Sequence, residues 1–270
     1  MPLSPIADVP VLEAVAIGEK KSEGASIPVA IQCSPQASTE LAEYVVKFYG
    51  SLPLGVRGLA RELYAALLGQ SLGLDIPPAA IVNIDPELSQ TTSDPEISAK
   101  LAASPGLNFG SRTIEMGAMT FGYIPRGMVQ AAADIFAFDM LIQNLDRSYQ
   151  KPNMLQTANR LIAIDHEDKT FLCAADDILG IRPAEKPWEE GGMKVYANGH
   201  RLYSDLKGKQ QGFDEFVEKV GLLSDVTFEA IGSRIPEEWA PVDVQKISDY
   251  LREAVTHLAI FHRCLLEVLA

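Results

Sequence analysis

The stretch GMVQAAADIFAFDMLIQN, from Gly127 to Asn144, constrains this chain most. Apolar residues recur on every side of it. As a helix it has no face suited to water, so other parts of the chain must surround it. It runs directly into a polar loop, NLDRSYQKPN, and then into two short apolar runs, NMLQ and RLIAID. A chain of 270 residues is long enough to build that surround, either as one domain of two lobes or as two small domains. Its 47% apolar content excludes a disordered chain.

Upstream the pattern is different. Between Val11 and Val46 short β-like runs alternate with turns: LEAVAIG, then IPVAIQCS after the hairpin-like EKKSEGAS, then AEYVVKFYG. This predicts an antiparallel sheet. Leu59, Leu63, Leu67 and Ser71 fall at helical spacing, and Gly73 with Pro77-Pro78 stops that helix. AAIVNI, from Ala79 to Ile84, reads as another strand. The polar stretch 85–110, with its Pro and Ser, reads as a connecting loop with a small helix and as the lobe boundary. Residues 175–212 read as irregular. Val244, Ile247, Leu251, Val255, Leu258, Phe261 and Leu265 predict one long apolar stripe at the end. The expected class is α+β, with a β-rich N-terminal lobe over 1–84 and a mostly helical C-terminal lobe over 85–270.

The net charge of −13 speaks against non-specific binding to nucleic acid or to an anionic membrane. No window is apolar for the length of a bilayer span, and MPLSPIADVP lacks the features of an export signal. Three cysteines, Cys33, Cys173 and Cys264, have no paired spacing, so a reduced cytoplasmic set is expected.

Several residues stand out for their chemistry. In EYVVKFYG, Tyr44, Val46 and Phe48 share one strand face, while Val45, Lys47 and Tyr49 share the other. A lysine there either snorkels to water or pairs with a carboxylate. Glu62, on the following helix, is that carboxylate if the two lie under a nucleotide; otherwise it is a solvated residue paired with an arginine. The tip GEKKSEGAS offers backbone N–H groups to phosphates, though its glycines match no phosphate-loop pattern. Asp146 follows the buried helix; Asn153 and Asp165 sit at neighbouring ends of the NMLQ and RLIAID runs if these pair. Together Asn153 and Asp165 suit one hard cation such as Mg²⁺, with phosphates completing its shell, and leave Asp146 to take a hydroxyl proton. Alternatively all three are turn and strand-end residues. His166, His200, His257 and His262 do not form a histidine-rich metal site, and no G-x-S-x-G nucleophile elbow occurs.

YVVKFYG, RELYAALLGQSLGLDIPPAAIVNI, FGSR, FDMLIQNLDRSYQKPNMLQ, LIAIDHEDKTF and IPEEW occur in this order. In this the chain resembles the HipA-like kinase family in its stand-alone form. That family is related in layout to phosphoinositide kinases and protein kinases. The resemblance implies a two-lobed kinase-like fold, ATP and Mg²⁺ as cofactors, and a Ser/Thr protein substrate. Lys47 would bind ATP phosphates with Glu62 as partner, and the tip around Lys20, Ser22 and Gly24 would cover them. Residues Ile81 to Ile84 would form the hinge beside adenine, with Val82 and Ile84 as binding positions. Asp146 would be the catalytic aspartate, Arg147 a supporting or phosphate-facing residue, and Asn153 and Asp165 the metal ligands. The sequence departs from the pattern in one place. The metal-binding Asn of such kinases lies five residues after the catalytic Asp; here that residue is Lys151, and Asn153 is seven after. Lys151 is then free to reach a phosphate. An inactive kinase-fold binding module and a phosphoinositide-type lipid kinase are the alternatives.

Overall fold

The computed structural model describes residues 2–20, 28–35, 38–114, 117–166, 186–209, 212–239 and 241–270. The N-terminal region is a closed five-stranded barrel rather than an open antiparallel sheet. Strands β1 (Val11–Lys20), β2 (Val29–Pro35) and β3 (Ala42–Lys47) pair antiparallel in sequence order. Strand β4 (Ala79–Ile84) closes the barrel by pairing parallel with β1, Leu12 opposite Val82. Strand β5 (Gly106–Arg112) lies between β3 and β4. The alternation read in the sequence holds: Tyr44, Val46 and Phe48 fill the barrel interior with Val29, Ile31 and Val82.

β5 begins inside the stretch 85–110 expected to be a connecting loop. The barrel therefore continues to Arg112, not to Ile84. Between β4 and β5 the chain makes a 3₁₀ turn and helix α2 (Pro95–Ala102). Asp94 caps α2 by accepting from the Glu96 and Ile97 N–H groups, and Pro95 supplies the first helical φ.

Helix α1 (Val56–Ser71) joins the two regions. Nearly every residue from Gly58 to Leu68 is buried, because barrel and helices pack on opposite sides of it. Its end is as expected: Gly73 takes φ +92°, and the Leu74 N–H returns to the Gly69 carbonyl. Helix α3 (Val129–Leu141) is enclosed from Ile135 to Leu141, with Ile135, Phe136, Phe138 and Met140 all buried, while Gln130 in its first turn is exposed. β6 (Met119–Thr120), β7 (Met154–Gln156) and β8 (Leu161–Ala163) form a small antiparallel sheet, with Met154 opposite Ala163.

Among the described residues beyond β8 the elements are helices: α4 (Gly192–Ala197) and α5 (Tyr203–Leu206), inside the stretch expected to be irregular, then α6 (Asp214–Gly221), α7 (Asp225–Gly232), α8 (Pro241–Thr256) and α9 (Leu258–Leu269). The C-terminal stripe is thus two helices, not one. The break falls at His257, where the Thr256 hydroxyl and the His257 N–H both turn back to the Glu253 carbonyl. α8 holds α1 in place. Asp243 accepts from Arg57 at 3.0 Å and from Arg61 at 2.8 Å, and Tyr64 meets Ser248 at 3.1 Å. Among the described residues no helix is long and apolar enough to cross a membrane.

Candidate active site

Lys47 ends β3 on the outward face of the barrel. Its ammonium lies 3.0 Å from Glu62 Oε2 on α1 and 2.5 Å from Asp165 Oδ1 just beyond β8. The lysine side chain is 12% exposed and Glu62 5%, so this is a paired charge cluster and not a snorkelling lysine. Glu62 also accepts the backbone N–H of His166 at 2.6 Å. Burial would raise the Glu62 carboxyl, but the Lys47 ammonium and His166 outweigh it and hold it below the usual carboxylate range. The arginine alternative for Glu62 fails, because Arg57 and Arg61 both turn to Asp243.

Asp146 and Asn153 face each other across the loop that follows α3. Asn153 Nδ2 donates to Asp146 Oδ2 at 3.2 Å, and the Lys151 ammonium lies 3.4 Å from Asp146 Oδ1. The Asp146 N–H donates to Asn144 Oδ1 at 3.1 Å. Asn153 and Asp165 have φ of 46° and 62°; with Gln143, these are the non-glycine residues of positive φ among those described. Such backbone costs about 1–3 kcal/mol per residue and persists where the surroundings enforce it.

Arg147 is what enforces it. It is fully buried, so it does not face a phosphate. Its guanidinium donates to the carbonyls of Asn153 and of Ile164, the latter at 3.3 Å, and pairs with Asp139 on α3. The Ile164 N–H also donates to the Asn153 carbonyl at 3.1 Å. One side chain therefore fixes the backbone at Asn153 and immediately before Asp165.

Asp139 is the residue that the reading of motifs passed over. It is completely buried and accepts from Asn144 at 2.9 Å, from Arg147, and from His200 Nε2 at 2.8 Å. The Leu202 N–H donates to His200 Nδ1, so the proton of a neutral ring sits on Nε2 and points at Asp139. Burial raises the Asp139 carboxyl; Arg147 and His200 together outweigh it and hold it low. Burial also pushes the His200 ring below its ordinary value. The sequence does carry a signal for this: a carboxylate amid FAFDML, on the apolar second half of the helix, needs a buried partner.

The sequence-derived residues thus form two linked groups, Lys47–Glu62–Asp165 and Asp146–Lys151–Asn153, over a buried Asp139–Arg147–His200 base. Val82 and Ile84 do not join them. They are 0% and 1% exposed in the barrel core, and β4 is paired on both edges, so the expected hinge at 81–84 is corrected. The chain leaves the barrel after Arg112 instead. Lys20 ends β1, and Ser22 and Gly24 lie outside the described residues, as does Cys173. Cys33 is buried, its thiol pushed up to about 12, which suits a structural role. Among the described residues no group of three or more His, Cys, Asp or Glu could hold a metal. Mg²⁺ bound with a nucleotide needs less: one or two protein oxygens, the rest coming from phosphates and water. The Asp165 carboxylate and the Asn153 amide oxygen fit that demand.

A family model described as HipA-like kinase matches residues 14–182, well over half of the sequence. The chain belongs to the HipA-like kinase family and is by that membership a kinase-type phosphotransferase. Among solved structures it is similar to a proinflammatory kinase of Helicobacter pylori, CtkA, at 12% identity and a TM-score of 0.49, over 96% of this chain and 99% of that one. Comparison with curated proteins gives no match.

Proposed function

We propose that this chain is a Mg²⁺- and ATP-dependent kinase that phosphorylates a hydroxyl group of a protein, on serine or threonine. The observation that carries this reading is the Lys47 ammonium held between Glu62 and Asp165, beside an Asp146–Asn153 pair whose backbone is fixed from below by Arg147. Lys47 binds phosphate oxygens, and Glu62 holds it in position. Asp165 and Asn153 would hold Mg²⁺, which neutralises charge on the transferring phosphate. Asp146 orients the acceptor hydroxyl and accepts its proton as the oxygen bonds to the γ-phosphorus. The bond from that phosphorus to the bridging oxygen breaks, and ADP leaves with the electron pair. The two lobes are the barrel through Arg112 and the helical remainder. A protein acceptor is proposed over a lipid one because the net charge of −13 disfavours an anionic membrane surface.

The test is transfer of labelled γ-phosphate from ATP to the chain itself or to added proteins, with and without Mg²⁺. Mg²⁺-dependent labelling supports the reading. A melting temperature raised by ATP with Mg²⁺, but without labelling, supports the binding-module alternative.

A further inference from the structure

Lys151 has no role in the mechanism above, yet its ammonium lies 3.4 Å from the carboxylate of Asp146. We propose that Lys151 supplies a fixed positive charge to the transferring phosphate in place of a second divalent cation, so that this site works with one metal ion per nucleotide. The proposal rests on the reading of the site as a Mg-ATP phosphotransfer site.

Three observations carry it. The first is position. The Lys151 N–H donates to Ser148 Oγ at 3.2 Å, and its carbonyl accepts the Ser148 N–H at 2.8 Å. Pro152 follows directly. These bonds close the loop and set the base of the side chain beside Asp146, while the side chain remains 66% exposed. The ammonium is therefore available to a ligand rather than buried in a structural pair.

The second is the pairing of charges. Two carboxylates, Asp146 and Asp165, face two ammonium groups, Lys151 and Lys47, each pair in direct contact. Here each of the two acids already has one lysine against it.

The third is the donor set. In protein kinases the loop Asn helps to hold a second Mg²⁺. At that spacing this chain presents an ammonium, which repels a cation and attracts a phosphate oxygen.

The experiment counts Mn²⁺ bound to the full chain by electron paramagnetic resonance at a saturating non-hydrolysable ATP analogue. Analogue occupancy is measured separately by equilibrium dialysis. The wild type is expected to hold one Mn²⁺ per bound analogue, Lys151→Asn two, and Lys151→Arg one. Two ions in the wild type, or one in both wild type and Lys151→Asn, overturns the proposal while leaving the kinase reading intact. No analogue binding by the wild type removes the nucleotide site itself and the proposal with it. Unchanged melting temperatures of the variants confirm that a change in ion count is not a loss of fold.

Discussion

Arg147 and Asp139 form an ion pair in which neither side chain has any exposed surface. The pair links the loop that carries Asp146 to the enclosed helix α3. Through its other nitrogen Arg147 also holds the carbonyls of Asn153 and Ile164. The two proposed metal ligands thus take their backbone geometry from a fully buried residue.

Removing Arg147 strands a buried carboxylate. Arg147→Met is expected to destabilise the fold by roughly 3–5 kcal/mol, the range for breaking a buried pair from one side. Adding Asp139→Asn should recover part of the loss, because the stranded charge disappears. Urea unfolding of both variants measures this. A single variant as stable as wild type would show that the pair does not hold the loop.

His200 gives the fold a pH dependence of definite sign. Its ring is buried and its folded value lies below the ordinary 6.5. As pH falls through 6.5 the unfolded chain takes up a proton that the folded chain refuses. Stability therefore falls on acidification in that window, by at most about 1.4 kcal/mol per pH unit. Asp139 acts in a lower window. Its depressed carboxyl stabilises the fold above the ordinary 3.8, and that contribution fades as pH drops towards the folded value. His200→Gln should flatten the upper window alone. Urea midpoints at about pH 7.5 and pH 5.5 read this; an unchanged difference between wild type and variant would refute it.

Lys47 should matter more for nucleotide than for fold. Lys47→Met is expected to weaken ATP binding by roughly 10- to 100-fold, the worth of a lost charge-assisted hydrogen bond. Glu62 keeps the His166 N–H as a donor at 2.6 Å, which limits the damage to the protein. Calorimetric titration with ATP and Mg²⁺ checks it. An unchanged Kd would place the phosphates elsewhere.

Gly50 tests the turn that follows Lys47. A Cβ there would lie 2.6 Å from the Ala103 carbonyl oxygen and 2.9 Å from Ser104 Oγ. Gly50→Ala should cost about 1–3 kcal/mol through overpacking against backbone. At Gly199 nothing lies within 4 Å of the added atom, so Gly199→Ala should leave the melting temperature nearly unchanged. Calorimetric melting of both variants decides; equal temperatures would contradict the close approach at Gly50.

Much of this arrangement was legible in the sequence because its signals are local. The stop of α1 at Gly73, the buried α3 and the two short strands at NMLQ and RLIA follow from periodicity and turn residues, and the pairing of those strands, left open by the sequence, is seen in the structure. The barrel was not legible, because its closure depends on Leu12 meeting Val82 across a long sequence separation. β5 was hidden by GLNFGSR, in which two glycines weaken the strand signal. Val82 and Ile84 were expected beside a nucleotide from the resemblance, but they lie inside the barrel, and the chain leaves it only after Arg112. Within the site, Lys47, Glu62, Asp146, Asn153 and Asp165 could be picked by residue type and order. Asp139 carried the signal of a carboxylate amid apolar residues, but its partner His200 was not legible, because the two meet only in three dimensions.

The central claim is that Asp146 acts on the acceptor hydroxyl within a Mg-ATP site. Asp146→Asn keeps the shape of the side chain and removes its basicity. Measured side by side with wild type, it should bind ATP with Mg²⁺ within about threefold of wild type while phosphate transfer falls by roughly 10²- to 10⁴-fold. Transfer by Asp146→Asn at the wild-type rate would contradict the account.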